Sequence, residues 1–114
     1  MLWKRKKPIE VDLDYEYVVS RIRTNVSTME LKITCEEESF IREILRHSAY
    51  PRKIRLTKLK DGTFNVATND EYLGKVRLSG KKKFLQYIGK NGDPEVVYAE
   101  SAEELVPHIS KWFK

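Results

Sequence analysis

The sequence predicts an α+β fold: a mainly antiparallel β-meander with two helices packed on one face of the sheet. The second half of the chain alternates apolar and polar residues and contains two hairpin dipeptides, Asp61-Gly62 and Asn91-Gly92. Such dipeptides are typical of antiparallel strands joined by tight turns. Two capping-box sequences, one before this alternating segment and one after it, each precede an apolar stripe with helical spacing.

The 114 residues fit a single domain that is large enough to bury a core without disulfides. We expect a basic N-terminal tail over residues 1–8 and one α+β domain over residues 9–114. After the tail, apolar residues alternate with acidic ones at Ile9, Val11, Leu13 and Tyr15. A period of two favours a half-buried strand. Residues 17–23 are ambiguous, although their β-branched side chains favour a strand, and residues 29–33 alternate again as a further strand.

The first predicted helix begins near Thr34, which has capping-box spacing to Glu37. Acidic residues occupy the first turn and basic residues the last turn, as the helix dipole favours. One face carries Ile41, Ile44, Leu45 and Ser48, with Phe40 beside it. The helix is expected to end at Tyr50-Pro51, because the residue before a proline avoids the helical conformation.

The β-meander is predicted to follow this helix, with strands joined by turns at Asp61-Gly62, Ser79-Gly80 and Asn91-Gly92. The alternating segments are residues 54–57, 64–68, 74–79, 84–88 and 95–99. A second capping box, Ser101 with Glu104, opens a C-terminal helix. Pro107 lies awkwardly inside that helix, so it either kinks the first turns or marks the start of the regular helix.

Composition bears on the compartment of the protein. Hydrophobic residues make up 40% of the chain and charged residues 34%, which fits an ordinary globular domain. Apolar runs fall short of the roughly 18 residues of a membrane span, and a secretory signal is missing from the start of the sequence. The single cysteine, Cys35, cannot form an internal disulfide. We therefore expect a cytoplasmic protein without a membrane partner.

Positive charge is concentrated in one segment of the chain. The net charge is +5, and residues 51–92 alone hold eleven lysines and arginines against three acidic residues. Such asymmetry is informative about partners. In a meander, alternate residues share a face, so the cations can line one exposed surface with a tyrosine beside them. The candidate nucleic-acid-binding residues are Arg52, Lys53, Arg55, Lys58, Lys75, Arg77, Lys81, Lys82, Lys83 and Tyr87.

A basic sheet with an aromatic side chain is one way in which proteins hold a nucleic-acid backbone and stack bases. The leading hypothesis is therefore a non-enzymatic module that binds DNA or RNA with weak sequence preference. Charged residues on strands also serve to solubilise a sheet and protect its edges. An alternative is an interaction or inhibitory module, of the kind found in phage or plasmid biology, that binds an acidic protein. Open sheet edges are compatible with dimerisation.

A second alternative is a Mg²⁺-dependent nuclease built on Asp12, Asp14, Glu30 and Lys32. Acidic residues on one strand with Glu-x-Lys on the next resemble the PD-(D/E)XK nucleases, and the resemblance implies carboxylates that hold Mg²⁺ and a lysine that positions the attacking water. This sequence departs from the family in leaving little room for a helix before the aspartate.

Other chemistry lacks support in the sequence. Cys35 at a helix start is followed by glutamates that oppose a thiolate. His47 and His108 are far apart, so we predict no dedicated metal site. Nucleotide-binding, hydrolase and zincin motifs do not occur, and we predict no cofactor.

Overall fold

The computed structural model describes residues 8–24 and 31–113, with side chains from residue 12 onwards. In chain order the elements are α1 (Pro8–Val19), β1 (Arg23–Thr24), α2 (Cys35–His47), β2 (Arg55–Lys58), β3 (Thr63–Ala67), β4 (Tyr72–Arg77), β5 (Lys83–Ile88), β6 (Pro94–Ala99) and α3 (Ala102–Leu105). Two 3₁₀ helices, Pro51–Lys53 and Val106–Trp112, precede β2 and follow α3. The predicted α+β class is confirmed, with three α-helices rather than two in the described ranges.

The sheet has six strands in the order β1-β2-β3-β4-β5-β6. Strands β2 to β6 form the predicted antiparallel meander, whereas β1 pairs in parallel with β2. The two hairpin dipeptides lie in the turns where the sequence placed them. Gly62 and Gly92 have φ of 92° and 83°, which is the left-handed region that glycine enters without strain. These turns fix the register of the meander, because hairpin geometry sets which residues oppose each other.

The predicted N-terminal strand is wrong, because residues 8–19 form the helix α1. Asp14 and Val18 are its buried residues, and they lie four positions apart, as neighbours on one helix face do. Leu13, which the alternation placed in the core, is 52% exposed. Asp14 is buried beside Arg52, whose Nε donates to it at 3.1 Å. An acidic residue thus lies on the inner face, a position that the alternating pattern assigned to solvent.

A strand was also predicted over residues 29–33, and the part of this segment that the structure describes does not form one. Residues 31–34 have no regular secondary structure, and residues 25–30 lie outside the described ranges. The short strand that pairs with β2 is instead Arg23–Thr24. Residues 17–23, for which a strand was favoured, continue α1 to Val19 and then turn.

Both predicted capping boxes are confirmed. The Thr34 hydroxyl accepts from the Glu37 backbone N–H at 3.1 Å, and Glu37 Oε1 accepts from the Thr34 N–H at 3.0 Å. Helix α2 ends at His47, a few residues before Pro51. Ser101 and Glu104 cap α3 in the same way.

The C-terminal helix combines the two arrangements expected around Pro107, namely a helix that starts before the proline and a second helix that starts near it. The α-helix stops at Leu105 and the chain continues as the 3₁₀ helix Val106–Trp112, with the proline in its first turn. Trp112 then donates its indole N–H to the Gln86 carbonyl of β5 at 2.8 Å. Gly74 makes room for this contact, because a Cβ there would collide with both the carbonyl and the indole.

One hydrophobic core joins the helices to the sheet. Val18, the apolar stripe of α2, and Leu105, Ile109 and Trp112 contribute to it from the helices. From the strands come Leu56, Phe64, Val66, Val76 and Leu85. No helix in the described ranges is long and apolar enough to cross a bilayer.

Candidate nucleic-acid interface

The sheet has two unlike faces, which the strand register defines. The covered face points toward the helices and consists of Leu56, Lys58, Phe64, Val66, Val76, Leu85 and Tyr87. Neighbouring residues on each strand point the opposite way, since side chains alternate along a strand. We call this opposite side the open face; it consists of Arg55, Thr57, Asn65, Lys75, Arg77, Phe84, Gln86, Ile88, Val96 and Tyr98. Each of these ten residues is half-buried or exposed, whereas Thr63, which opposes Arg77 on the same side of the sheet, is buried.

The open face is basic on one side and apolar on the other. Strands β2 and β4 contribute Arg55, Lys75 and Arg77, and none of the ten open-face residues is acidic. Strands β5 and β6 contribute the apolar side chains, including Ile88, Val96 and Tyr98. Three predicted binding residues, Arg55, Lys75 and Arg77, thus share one surface. The open-face residues beside them on the neighbouring strands are not acidic.

The turn between β4 and β5 adds further charge at one end of the sheet. We call Lys81, Lys82 and Lys83 the basic tip. Lys81 and Lys82 are exposed, whereas the Lys83 ammonium donates to the Gly80 carbonyl at 3.1 Å and so helps to hold the turn. The β2–β3 turn reaches the same end, where Gly62 lies beside Ser79. The basic tip therefore continues the positive charge of the open face beyond the ends of the strands.

Arg77 occupies the middle of this end of the open face. Its cross-strand neighbours are Thr63 on β3 and Phe84 on β5. Its Nε is buried and has no hydrogen-bond partner among the described residues. Asp61 is the nearby acidic group: its pKa is lowered first by the backbone N–H of Thr63 and, to a smaller extent, by the Arg77 charge.

Two predicted residues, Arg52 and Lys53, are engaged elsewhere. Arg52 pairs with Asp14 of α1 and lies over the Tyr17 ring, 4.9 Å from its centroid. Lys53 lies over the Tyr50 ring at 4.8 Å. Both are on the 3₁₀ helix that leads into β2 and not on a strand, so they do not belong to the open face.

Lys58 lies on the covered face and is only 9% exposed. Its ammonium donates to Glu37 Oε1 at 3.0 Å and to the Lys32 carbonyl. Glu37 is itself almost fully buried, and its Oε2 has no partner among the described residues. Lys58 therefore forms an internal ion pair between β2 and α2 and is not available to a phosphate. The sequence carried a signal of this, because Lys58 is two positions from buried Leu56 and so shares its face.

Tyr87 is also on the covered face, where its ring packs against the core with Lys111 5.7 Å from its centroid. The aromatic side chains among the ten open-face residues named above are Phe84 and Tyr98, which sequence reasoning missed; Tyr72, which pairs with Ala67 at the start of β4, is 46% exposed as well. Their rings are cross-strand neighbours with centroids 6.3 Å apart and planes tilted by 60°. The signal for Phe84 was its position next to Leu85, whose burial turns Phe84 outward.

The residues of the nuclease alternative are not assembled as that alternative required. Asp12 and Asp14 lie on a helix, where Asp12 pairs with Arg42 and Asp14 with Arg52. Lys32 is in the segment without regular structure, and Glu30 lies outside the described ranges. Within the part of the chain that the structure describes, no three histidine, cysteine or acidic side chains are grouped to hold a metal ion.

Comparison with known proteins finds no matching family model, no matching curated protein and no matching solved structure.

Proposed function

We propose that the protein is a non-enzymatic nucleic-acid-binding module that holds phosphates with the open face and the basic tip. The observation that carries this proposal is the placement of Arg55, Lys75 and Arg77 on the open face, where each is half-buried and none of the ten residues named above is acidic. A phosphate backbone offers the complementary charge, and its contacts with lysine and arginine supply most of the affinity in binding of this kind.

The arrangement of the cations suits a chain of phosphates better than a single anion. Lys75 lies next to Asn65 and Gln86 on its neighbouring strands, so the middle of the face also offers neutral hydrogen-bonding groups. Adjacent strands are about 4.8 Å apart, and β3 lies between β2 and β4. The cations on β2 and β4 are therefore far enough apart to contact different phosphates of one nucleic-acid chain. Lys81 and Lys82 extend the same path past the turn, where exposed lysines can reach phosphates.

Binding of this kind should depend steeply on salt, because each neutralised phosphate releases condensed counterions. The test is fluorescence anisotropy with labelled single-stranded DNA, duplex DNA and RNA over a series of salt concentrations. We expect binding at low salt and a linear fall of log K with log salt, with little dependence on sequence. Absence of binding to all three ligands at low salt would overturn the proposal and would favour an acidic protein as the partner of this surface.

Two matched double variants distinguish binding by this surface from binding that depends only on the net charge of the protein. Lys81→Ala/Lys82→Ala removes two exposed cations of the basic tip, and Arg46→Ala/Lys111→Ala removes two exposed cations on the helical side. Both lower the net charge equally. We expect the first variant to weaken binding and to reduce the salt slope by roughly 1.4 to 1.8, and the second to change the slope little. Equal losses in the two variants would mean that binding reflects overall charge and not this face.

A further inference from the structure

Phe84 and Tyr98 form a cross-strand aromatic pair at the end of the open face nearest the basic tip. Phe84 is half-buried, whereas Tyr98 is 70% exposed. Their rings are tilted by 60° and not stacked, which leaves ring surface directed to solvent. An aromatic cross-strand pair contributes to sheet stability, but that contribution does not require one ring to be so exposed.

The aromatic pair lies in line with Arg77. Arg77 on β4 opposes Phe84 on β5, and Phe84 opposes Tyr98 on β6. The three residues therefore cross three adjacent strands in one row, next to the turn that carries Lys81 and Lys82. A ligand whose phosphates contact Arg77 and the basic tip would have its neighbouring groups directly above the two rings.

Additional apolar surface continues along the same edge of the sheet. Val96 is 41% exposed and lies two residues before Tyr98 on β6, and Ile88 is 39% exposed on β5. The edge strand β6 thus presents flat apolar surface beside a basic one. Planar, apolar groups attached to a phosphate chain match this combination, and nucleobases are such groups.

The geometry points to single-stranded nucleic acid as the ligand, with unpaired bases stacked on Phe84 and Tyr98. This inference rests on the proposed function and specifies its substrate class. In a duplex the base faces are already stacked on each other, so only base edges and phosphates can be contacted. A single strand exposes base faces, and aromatic side chains bind them with little sequence preference.

The test compares three labelled ligands with the same phosphate chain length: a mixed-sequence single strand, the corresponding duplex, and a single strand of abasic nucleotides. The full chain is used throughout. Stacking of one base on an aromatic ring strengthens binding by roughly 5- to 150-fold. We therefore expect the base-containing single strand to bind at least about 5-fold more tightly than the abasic strand, and more tightly than the duplex.

Variants then assign the effect to the aromatic pair. Tyr98→Ala should weaken binding of the base-containing strand by about 5-fold or more and leave binding of the abasic strand unchanged, whereas Tyr98→Phe should retain the wild-type affinity. Tyr50→Ala is the matched control, since Tyr50 is 68% exposed but lies outside the open face. Phe84→Leu removes the second ring while it keeps an apolar side chain at this half-buried position, and thermal unfolding confirms that each variant is folded.

The outcomes separate this inference from the proposal on which it rests. Equal affinity for base-containing and abasic strands, or an unchanged affinity in Tyr98→Ala, would overturn stacking even if the Lys81→Ala/Lys82→Ala variant still binds less tightly. A preference for the duplex would likewise overturn it while phosphate binding stands. Failure to bind any of the three ligands would overturn both.

Discussion

The covered and open faces of the sheet contain the same residue type in two different roles. Lys58 on the covered face is an internal cation that pairs with Glu37, whereas Lys75 on the open face is half-exposed and has Asn65 and Gln86 as its neutral neighbours. The two lysines point to opposite sides of the sheet. Both lysines belong to the same basic segment of the sequence. The side of the sheet to which each one points therefore decides whether its charge stabilises the fold or remains available to a ligand.

The difference has an energetic basis. A charge taken out of water is costly and persists only where it is paired and hydrogen-bonded, as Lys58 is by a carboxylate and a carbonyl. A charge at the surface contributes little to stability but remains free to neutralise an external phosphate. Substitutions on the covered face should consequently alter stability, and those on the open face should alter binding.

The largest expected effect is that of Glu37→Ala on the covered face. It leaves Lys58 buried without its carboxylate and also removes one half of the α2 capping box. We expect the free energy of unfolding to fall by about 3–5 kcal/mol, measured by urea denaturation. In Glu37→Leu/Lys58→Met, which removes both charges, much of this loss should be recovered. A loss below about 1 kcal/mol in Glu37→Ala would show that the buried pair matters no more than a surface one.

Adjacent residues on β5 provide the next test, because Leu85 and Gln86 point to opposite faces. Leu85 is fully buried, and Leu85→Ala should destabilise the protein by about 2–5 kcal/mol through the lost contacts and the cavity that remains. Gln86→Ala should change stability by no more than about 0.5 kcal/mol, since only its backbone carbonyl is used by Trp112. Thermal unfolding of the two variants checks this, and similar losses in both would contradict the assignment of the faces.

A smaller, pH-dependent effect is expected at Asp61 in the turn below Arg77. Its carboxylate accepts from the Thr63 backbone N–H at 2.9 Å, and this hydrogen bond lowers the Asp61 pKa from its ordinary value of 3.8. A carboxyl whose pKa is lowered by folding stabilises the protein above its unfolded pKa and loses this contribution as the pH falls through the folded pKa.

Asp61→Asn keeps an acceptor oxygen but cannot ionise. At pH 7 it should cost at most about 1 kcal/mol, because the turn is exposed, and the difference from the wild type should disappear as the pH falls below about 4. Urea denaturation at pH 7 and in the acid range measures both values. A difference that stays constant across this range would mean that ionisation of Asp61 does not contribute.

The smallest effect on stability is expected on the open face. Lys75→Ala should change the free energy of unfolding by no more than about 0.5 kcal/mol, while it lowers the salt slope of nucleic-acid binding by roughly 0.7 to 0.9. The measurements are thermal unfolding and the anisotropy salt series. A clear loss of stability without a change in the slope would reverse the roles assigned to the two faces.

The β-meander could be predicted from the sequence because its signals are local. Asp61-Gly62 and Asn91-Gly92 fix two hairpins, and the alternation between them determines which side chains are buried. The helix caps at Thr34 and Ser101 are local as well, since each box involves residues three positions apart. Where short-range chemistry decides the structure, the sequence and the fold agree closely.

Helix α1 could not be predicted from local signals, because one of the two buried residues that define its inner face is acidic, namely Asp14. Its burial depends on Arg52, which is 38 positions away in the chain. The placement of two candidate binding residues on the covered face has a similar cause. Lys58 was grouped with the other cations by its charge, although its partner Glu37 comes from a helix. Tyr87 is an aromatic residue in a basic segment, but its position two residues from Leu85 turns it to the covered face, where it packs against the core.

The most direct test of the two-face account is an NMR titration of the isotopically labelled full chain with a short single strand. The account predicts that signals of open-face residues, such as Asn65, Lys75, Gln86 and Tyr98, shift in proportion to added ligand. Signals from the exposed helical side, including Glu43 and Lys111, should remain in place. Shifts confined to the helical side, or no shifts at all, would contradict the claim that the open face binds nucleic acid.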